Sequence, residues 1–143
     1  MTVITNGELE TICEGKKLGR AILPGAVVAL SGGLGAGKTA FTRGLAEGLG
    51  ITLPVTSPTF TIVNEYTGEA TLFHFDAYRI ENESELFDIG WDDYLDRKGV
   101  CAVEWGEKVP GALPPDTIYV RIENLGNNSR RIEITTEGGL LRC

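Results

Sequence analysis

Apolar residues along this chain fall into two kinds of run. Val27-Val28-Ala29-Leu30 and Val100-Cys101-Ala102-Val103 are short and continuous, the pattern of strands covered on both faces. The second run closes on Glu104. Leu72-Phe73-His74-Phe75 is nearly continuous and also closes on an acid, Asp76. Elsewhere apolar residues recur at helical spacing. Leu9, Ile12, Cys13 and Leu18 do so within residues 8–19, and Phe41, Leu45 and Leu49 lie four apart within 39–49, so both segments are predicted helices. Gly44 and Gly48 each weaken a helix by about 1 kcal/mol relative to alanine. Their presence predicts a close approach of the second helix to the sheet, and Gly50 ends it.

Residues 60–66 and 71–76 read as paired strands about a turn at Thr67-Gly68-Glu69. Two more, 118–123 and 131–136, flank a turn rich in Gly and Asn. The acidic stretch 81–96 carries Leu86, Phe87 and Ile89 and predicts short helices. The expected architecture is α/β, with a mixed, mostly parallel central sheet, flanking helices and antiparallel additions. At 143 residues the chain suits a single domain spanning 1–143.

Composition narrows the function. No apolar run approaches the roughly 18 residues of a membrane helix, and the start lacks the basic-then-apolar order of a secretory signal. A cytoplasmic protein with no membrane partner is expected. Cys13, Cys101 and Cys143 are far apart and the chain has one histidine, so zinc is not expected and reduced thiols are. Net charge is −7, and Lys16-Lys17 and Arg130-Arg131 are isolated basic pairs. Direct RNA binding draws mainly on phosphate neutralisation. Any RNA in the process is therefore expected to sit on a partner.

Between the first continuous strand and the second helix lies Ser31-Gly32-Gly33-Leu34-Gly35-Ala36-Gly37-Lys38-Thr39, which contains the full GxxxxGK[ST] pattern. Glycines let the backbone wrap and turn successive N–H groups inward, making a concave anion site. The following helix adds unsatisfied N–H groups and the positive end of its dipole. The pattern arises by chance at roughly 1% in this composition, and the strand before it and helix after it lower that further. A P-loop NTPase-like domain is expected. Its binding set is Gly33, Leu34, Gly35, Ala36, Gly37, Lys38, Thr39 and Ala40, with Lys38 reaching the β- and γ-phosphates of ATP or ADP and Thr39 giving its hydroxyl to Mg²⁺. Asp76 and Glu104 close strands whose carboxyl ends face ligands in such sheets. One would hold the ion or its water and the other polarise the attacking water, against the plainer reading of solvated strand caps.

The set "GGLGAGKTAFTRGLAEGLG", "VTSPTFTIVNEY", "FHFDAYRI" and "VEWGEK", in this order and spacing, resembles the bacterial TsaE family, over residues 9–134. The loop is shared with many NTPases; the other three motifs are the specific part. The resemblance implies slow ATP hydrolysis in support of TsaB and TsaD proteins, which form N6-threonylcarbamoyladenosine at position 37 of tRNA, the turnover resetting that complex between cycles. It implies Mg²⁺ ligation at Thr39 and Glu104, a Walker B-like acid at Asp76, and a sensor of the γ-phosphate at Thr59. It brings Glu8 and Arg130 near the nucleotide's base and sugar. Gly33 replaces an acid common in the family, and the C-terminus is short.

The remaining residues divide between roles. Trp105 is read either as a nucleotide or partner contact or as packing, Trp91 as core, and His74 as a structural hydrogen-bonding group before a catalytic one. Arg79 is read as a structural salt bridge before a group that helps neutralise phosphate charge. The whole-chain alternatives are a nucleotide-dependent binding module with incidental hydrolysis and, ranked lower, a small-molecule kinase.

Overall fold

The structure, a computed structural model, describes residues 1–33, 35–56 and 62–136. Its strands are β1 (Thr2–Asn6), β2 (Val27–Ser31), β3 (Val63–Thr67), β4 (Thr71–Asp76), β5 (Val100–Glu104), β6 (Ile118–Gly126) and β7 (Ser129–Thr135). Its helices are α1 (Glu8–Ala21), α2 (Lys38–Gly48), α3 (Glu83–Asp88) and α4 (Trp91–Asp96), with 3₁₀ turns at Gly106–Lys108 and Pro110–Ala112. The strands form one sheet in the order β1-β7-β6-β2-β5-β4-β3. The four inner strands from β6 to β4 are parallel, while β7, β1 and β3 add antiparallel. This is the expected mixed sheet with a parallel nucleus.

Alternation along the strands separates two cores. Val28, Leu30, Leu72, Val100 and Ala102 face α1 and α2, where Phe41, Leu45 and Leu49 pack. Val27, Phe73, Phe75, Cys101 and Val103 face the other way, onto Leu86 and Trp91. The two continuous apolar runs are thus buried on both sides, as their lack of alternation requires. Trp91 is fully buried and its Nε1–H donates to Ala112 O at 2.9 Å. Each fully buried large side chain contributes ~1.5–3 kcal/mol.

Helix α1 forms where the spacing predicts it, although Leu9 is 80% exposed and the helix buries Thr11, Glu14, Gly15, Leu18 and Gly19. Two expectations need correction. Gly44 and Gly48 do not approach the sheet. A Cβ at Gly44 would stand 1.9 Å from Ile12 O, and one at Gly15 would stand 2.1 Å from Phe41 O. The glycines of α1 and α2 therefore let the two helices meet backbone to backbone, where hydrophobic spacing gives no signal. Arg79 is exposed and makes no ion pair among the described residues.

Strand β1 escapes the sequence pattern because it is a short edge strand with only Val3 and Ile4 apolar. The predicted residues 60–61 of the third strand lie outside the described residues. The β6–β7 hairpin turns on Asn127 and Asn128, both left-handed at φ 50° and 65°, the geometry that matches strand twist in a two-residue loop. Asn82 caps α3 in a reciprocal box with Glu85.

Candidate functional site

Parallel register brings the chemistry to one edge. Leu30 pairs with Glu104, and Glu104 pairs with Asp76, so the loop after β2 and both acids share the carboxyl end of the sheet. The long β6–β7 hairpin reaches the same end. A cavity of about 450 Å³ opens there, lined by Glu8, Gly35, Ala36, Gly37, Lys38, Thr39, Ala40, Asp76, Glu104 and Arg130 from the expected set. Gly33 does not line it, but its carbonyl accepts from Lys38. Leu34 and Thr59 lie outside the described residues.

The loop keeps the expected backbone. Gly32, Gly35 and Gly37 have φ of 142°, 71° and 108°, a region L side chains rarely adopt. A Cβ at Gly32 would also stand 2.3 Å from Ile122 O. Gly37 is the N-cap of α2, an 11-residue helix, and contributes no side-chain hydrogen bond; the positive end of the helix dipole faces the cavity. That arrangement fits a phosphate chain.

Lys38 is 5% exposed. Its ammonium donates to Gly32 O at 2.7 Å and Gly33 O at 2.9 Å, and lies 3.9 Å above the Trp105 ring. Burial pulls its pKa below the ordinary lysine value, opposed by the negative charges of Glu104, Glu107 and Asp76. The ammonium is thus poorly solvated and held against the loop carbonyls.

The acids are held by different means. Asp76 Oδ1 accepts from the Tyr78 N–H at 2.9 Å. Glu104 is 4% exposed; its Oε2 meets His74 Nε2 at 2.5 Å, and its two oxygens lie 3.4 and 3.5 Å from Thr39 Oγ1. A hydroxyl and two carboxylates suit Mg²⁺, which takes oxygen ligands and few carboxylates. Among the described residues no cluster of three or more His, Cys, Asp or Glu could hold a metal.

Arg130 Nη1 donates to Asn124 Oδ1 at 3.0 Å, and its Nη2 reaches Gly35 O at 3.4 Å, which ties the hairpin to the glycine loop. Glu8 pairs instead with Arg43 at 3.3 Å, at the exposed rim. Trp105 is half-buried, left-handed at φ 62°, and beside Tyr78. It lines the cavity and also packs against the second core, as the packing reading expected. Gly7, Thr11, Tyr78 and Asn128 also line the cavity and were missed. Tyr78, two residues beyond Asp76, had a local signal. The others arrive only through the pairing of β1 and β7.

A central β-strand, a glycine loop and a helix N-terminus facing two strand-end acids define the P-loop NTPase-like class of α/β proteins. A family model described as "Threonylcarbamoyl adenosine biosynthesis protein TsaE" matches residues 5–132. The chain belongs to that family. The tRNA threonylcarbamoyladenosine biosynthesis protein TsaE of Bacillus subtilis is 50% identical over 80% of this chain and 72% of its own length. That of Treponema pallidum is 41% identical over 94% and 99%. The crystal structure of Bacillus subtilis YdiB superposes with a TM-score of 0.83 at 39% identity, covering 96% of this chain and 86% of that one. Among the described residues no helix is long and apolar enough to cross a membrane.

Proposed function

We propose that this chain binds ATP in the cavity at the carboxyl edge of the sheet and hydrolyses it slowly. In threonylcarbamoyladenosine biosynthesis, its turnover would reset a TsaB–TsaD-type complex that modifies adenosine 37 of tRNA. One observation carries the reading: Lys38, Thr39, Asp76, Glu104 and the glycine-capped start of α2 converge on one cavity. The glycine-loop amides and Lys38 hold the phosphates. Thr39 and Glu104, with Asp76 beside them, would hold Mg²⁺, whose charge would offset that of the phosphates. The two carboxylates divide ion holding and water polarisation between them. The net charge of −7 supports RNA binding by the partner proteins rather than by this chain, in the cytoplasm.

Isothermal titration with ATP and ADP in magnesium is the test. Wild-type protein should bind both, and Lys38→Ala should lose at least tenfold in affinity. Glu104→Gln and Asp76→Asn should keep ATP bound while lowering turnover at least tenfold, and the larger loss marks the residue nearer the water. No saturable uptake by wild-type protein would overturn the proposal. Undiminished tRNA modification by a partner complex supplied with the hydrolysis-dead variants would leave a nucleotide-dependent binding module.

A further inference from the structure

Among the described residues, one buried side-chain polar atom lacks a hydrogen-bond partner, and it belongs to His74. His74 sits in β4 between Phe73 and Phe75 and has no exposed surface. In the parallel β4–β5 register His74 pairs with Ala102 and Asp76 with Glu104. His74 therefore lies on the same face as Glu104, diagonal to it, a separation long side chains span. Its Nε2 meets Glu104 Oε2 at 2.5 Å, and its Nδ1 has no hydrogen-bond partner among the described residues. A carboxylate only accepts, so the arrangement calls for the proton on Nε2. The reverse tautomer would set a lone pair against the carboxylate and bury an N–H with no acceptor.

A polar ring in this place is costly, since an apolar side chain would fill the same buried space on that face without orphaning a nitrogen. The bond it makes has one evident result. With Oε2 committed to the imidazole, the carboxylate's orientation is set, and Oε1 lies 3.4 Å from the Thr39 hydroxyl. Asp76 is steadied by a backbone N–H at the end of its own strand; Glu104 has its steadying group on the neighbouring strand.

We propose that His74 is a positioning residue: its Nε2–H presents the Glu104 carboxylate to a divalent cation beside Thr39 in one preset orientation. This rests on the nucleotide-and-cation reading above. Groups that orient metal ligands in this way typically change metal affinity or activity by 10–100-fold when removed.

The test compares full-length His74→Leu, which removes the donor and keeps apolar bulk, with His74→Gln, whose amide N–H reaches about as far as Nε2. ADP affinity is measured in EDTA, Mn²⁺ affinity of the ADP complex by electron paramagnetic resonance, and turnover by phosphate release. His74→Leu should bind ADP in EDTA within about twofold of wild type. It should need roughly 10–100-fold more Mn²⁺, and kcat should fall while KM moves less than about threefold. His74→Gln should recover most of both losses. Wild-type Mn²⁺ affinity in His74→Leu overturns the proposal, as does a Gln variant as impaired as the Leu variant. If His74→Leu does not fold, His74→Asn, whose amide stops short of Glu104, replaces it. Absence of ADP binding by wild type would fail the parent reading; intact ADP binding with unchanged Mn²⁺ affinity fails the positioning role alone.

Discussion

Burial gives two thiols of this chain opposite chemistry. Cys101 lies in the central layer of the sheet, 1% exposed, and burial pushes its pKa up from 9.0 to about 12. Cys13 stands exposed on α1. The thiolate is the reactive form, so iodoacetamide at pH 8 should label Cys13 and spare Cys101 until denaturant is added, as peptide mass mapping would show. The same shift sets a pH dependence. The folded state holds the Cys101 proton more tightly than the unfolded chain, so this contribution to stability is complete below about pH 9 and is lost as pH rises toward 12. The urea midpoint should fall above pH 9, and Cys101→Ala should flatten that decline. A Cys101 labelled as fast as Cys13 in native protein would contradict the burial argument.

Helix propensity and packing oppose one another at the contact of α1 with α2. Alanine for glycine inside an exposed helix gains about 1 kcal/mol. At Gly44 the added methyl would stand 1.9 Å from the Ile12 carbonyl oxygen, and backbone there cannot yield as a flexible side chain would. Overpacking of this kind costs roughly 1–3 kcal/mol or more, so sterics win. Gly44→Ala should lower the thermal midpoint by several degrees and weaken ATP binding, because α1 carries Glu8 and Thr11 to the cavity while α2 carries Lys38 and Thr39. A raised midpoint in circular-dichroism melting would show that the helices part without loss.

Across the whole molecule the cavity is closed on one side by chain segments remote in sequence. Strand β1 pairs with β7 from Thr2↔Glu133 to Asn6↔Ser129, and Thr5 Oγ1 lies 2.9 Å from Thr11 Oγ1. This pairing holds Gly7 and Glu8 against the loop and covers the outer edge of β7. Deleting residues 1–6 should lower stability, weaken nucleotide binding several-fold and bare a strand edge that promotes self-association. Light scattering and nucleotide titration check both effects. A monomeric deletion variant with wild-type affinity would show that β1 neither shapes the cavity nor guards the edge.

The parallel nucleus was legible because strands buried on both faces need unbroken apolar runs, and the loop because only glycines allow its backbone. Asp76 and Glu104 stood out as acids ending such runs. Pattern alone could not show which faces of α1 and α2 meet, since their contact is made by glycines. Nor could it show that His74 touches Glu104, or that Arg130 reaches Gly35. Local sequence determined the buried strands, the glycine loop and the kinds of group beside it, because those follow from short-range sterics and periodicity. Tertiary structure alone decided which groups converge, because strand order and register join residues that lie dozens of positions apart.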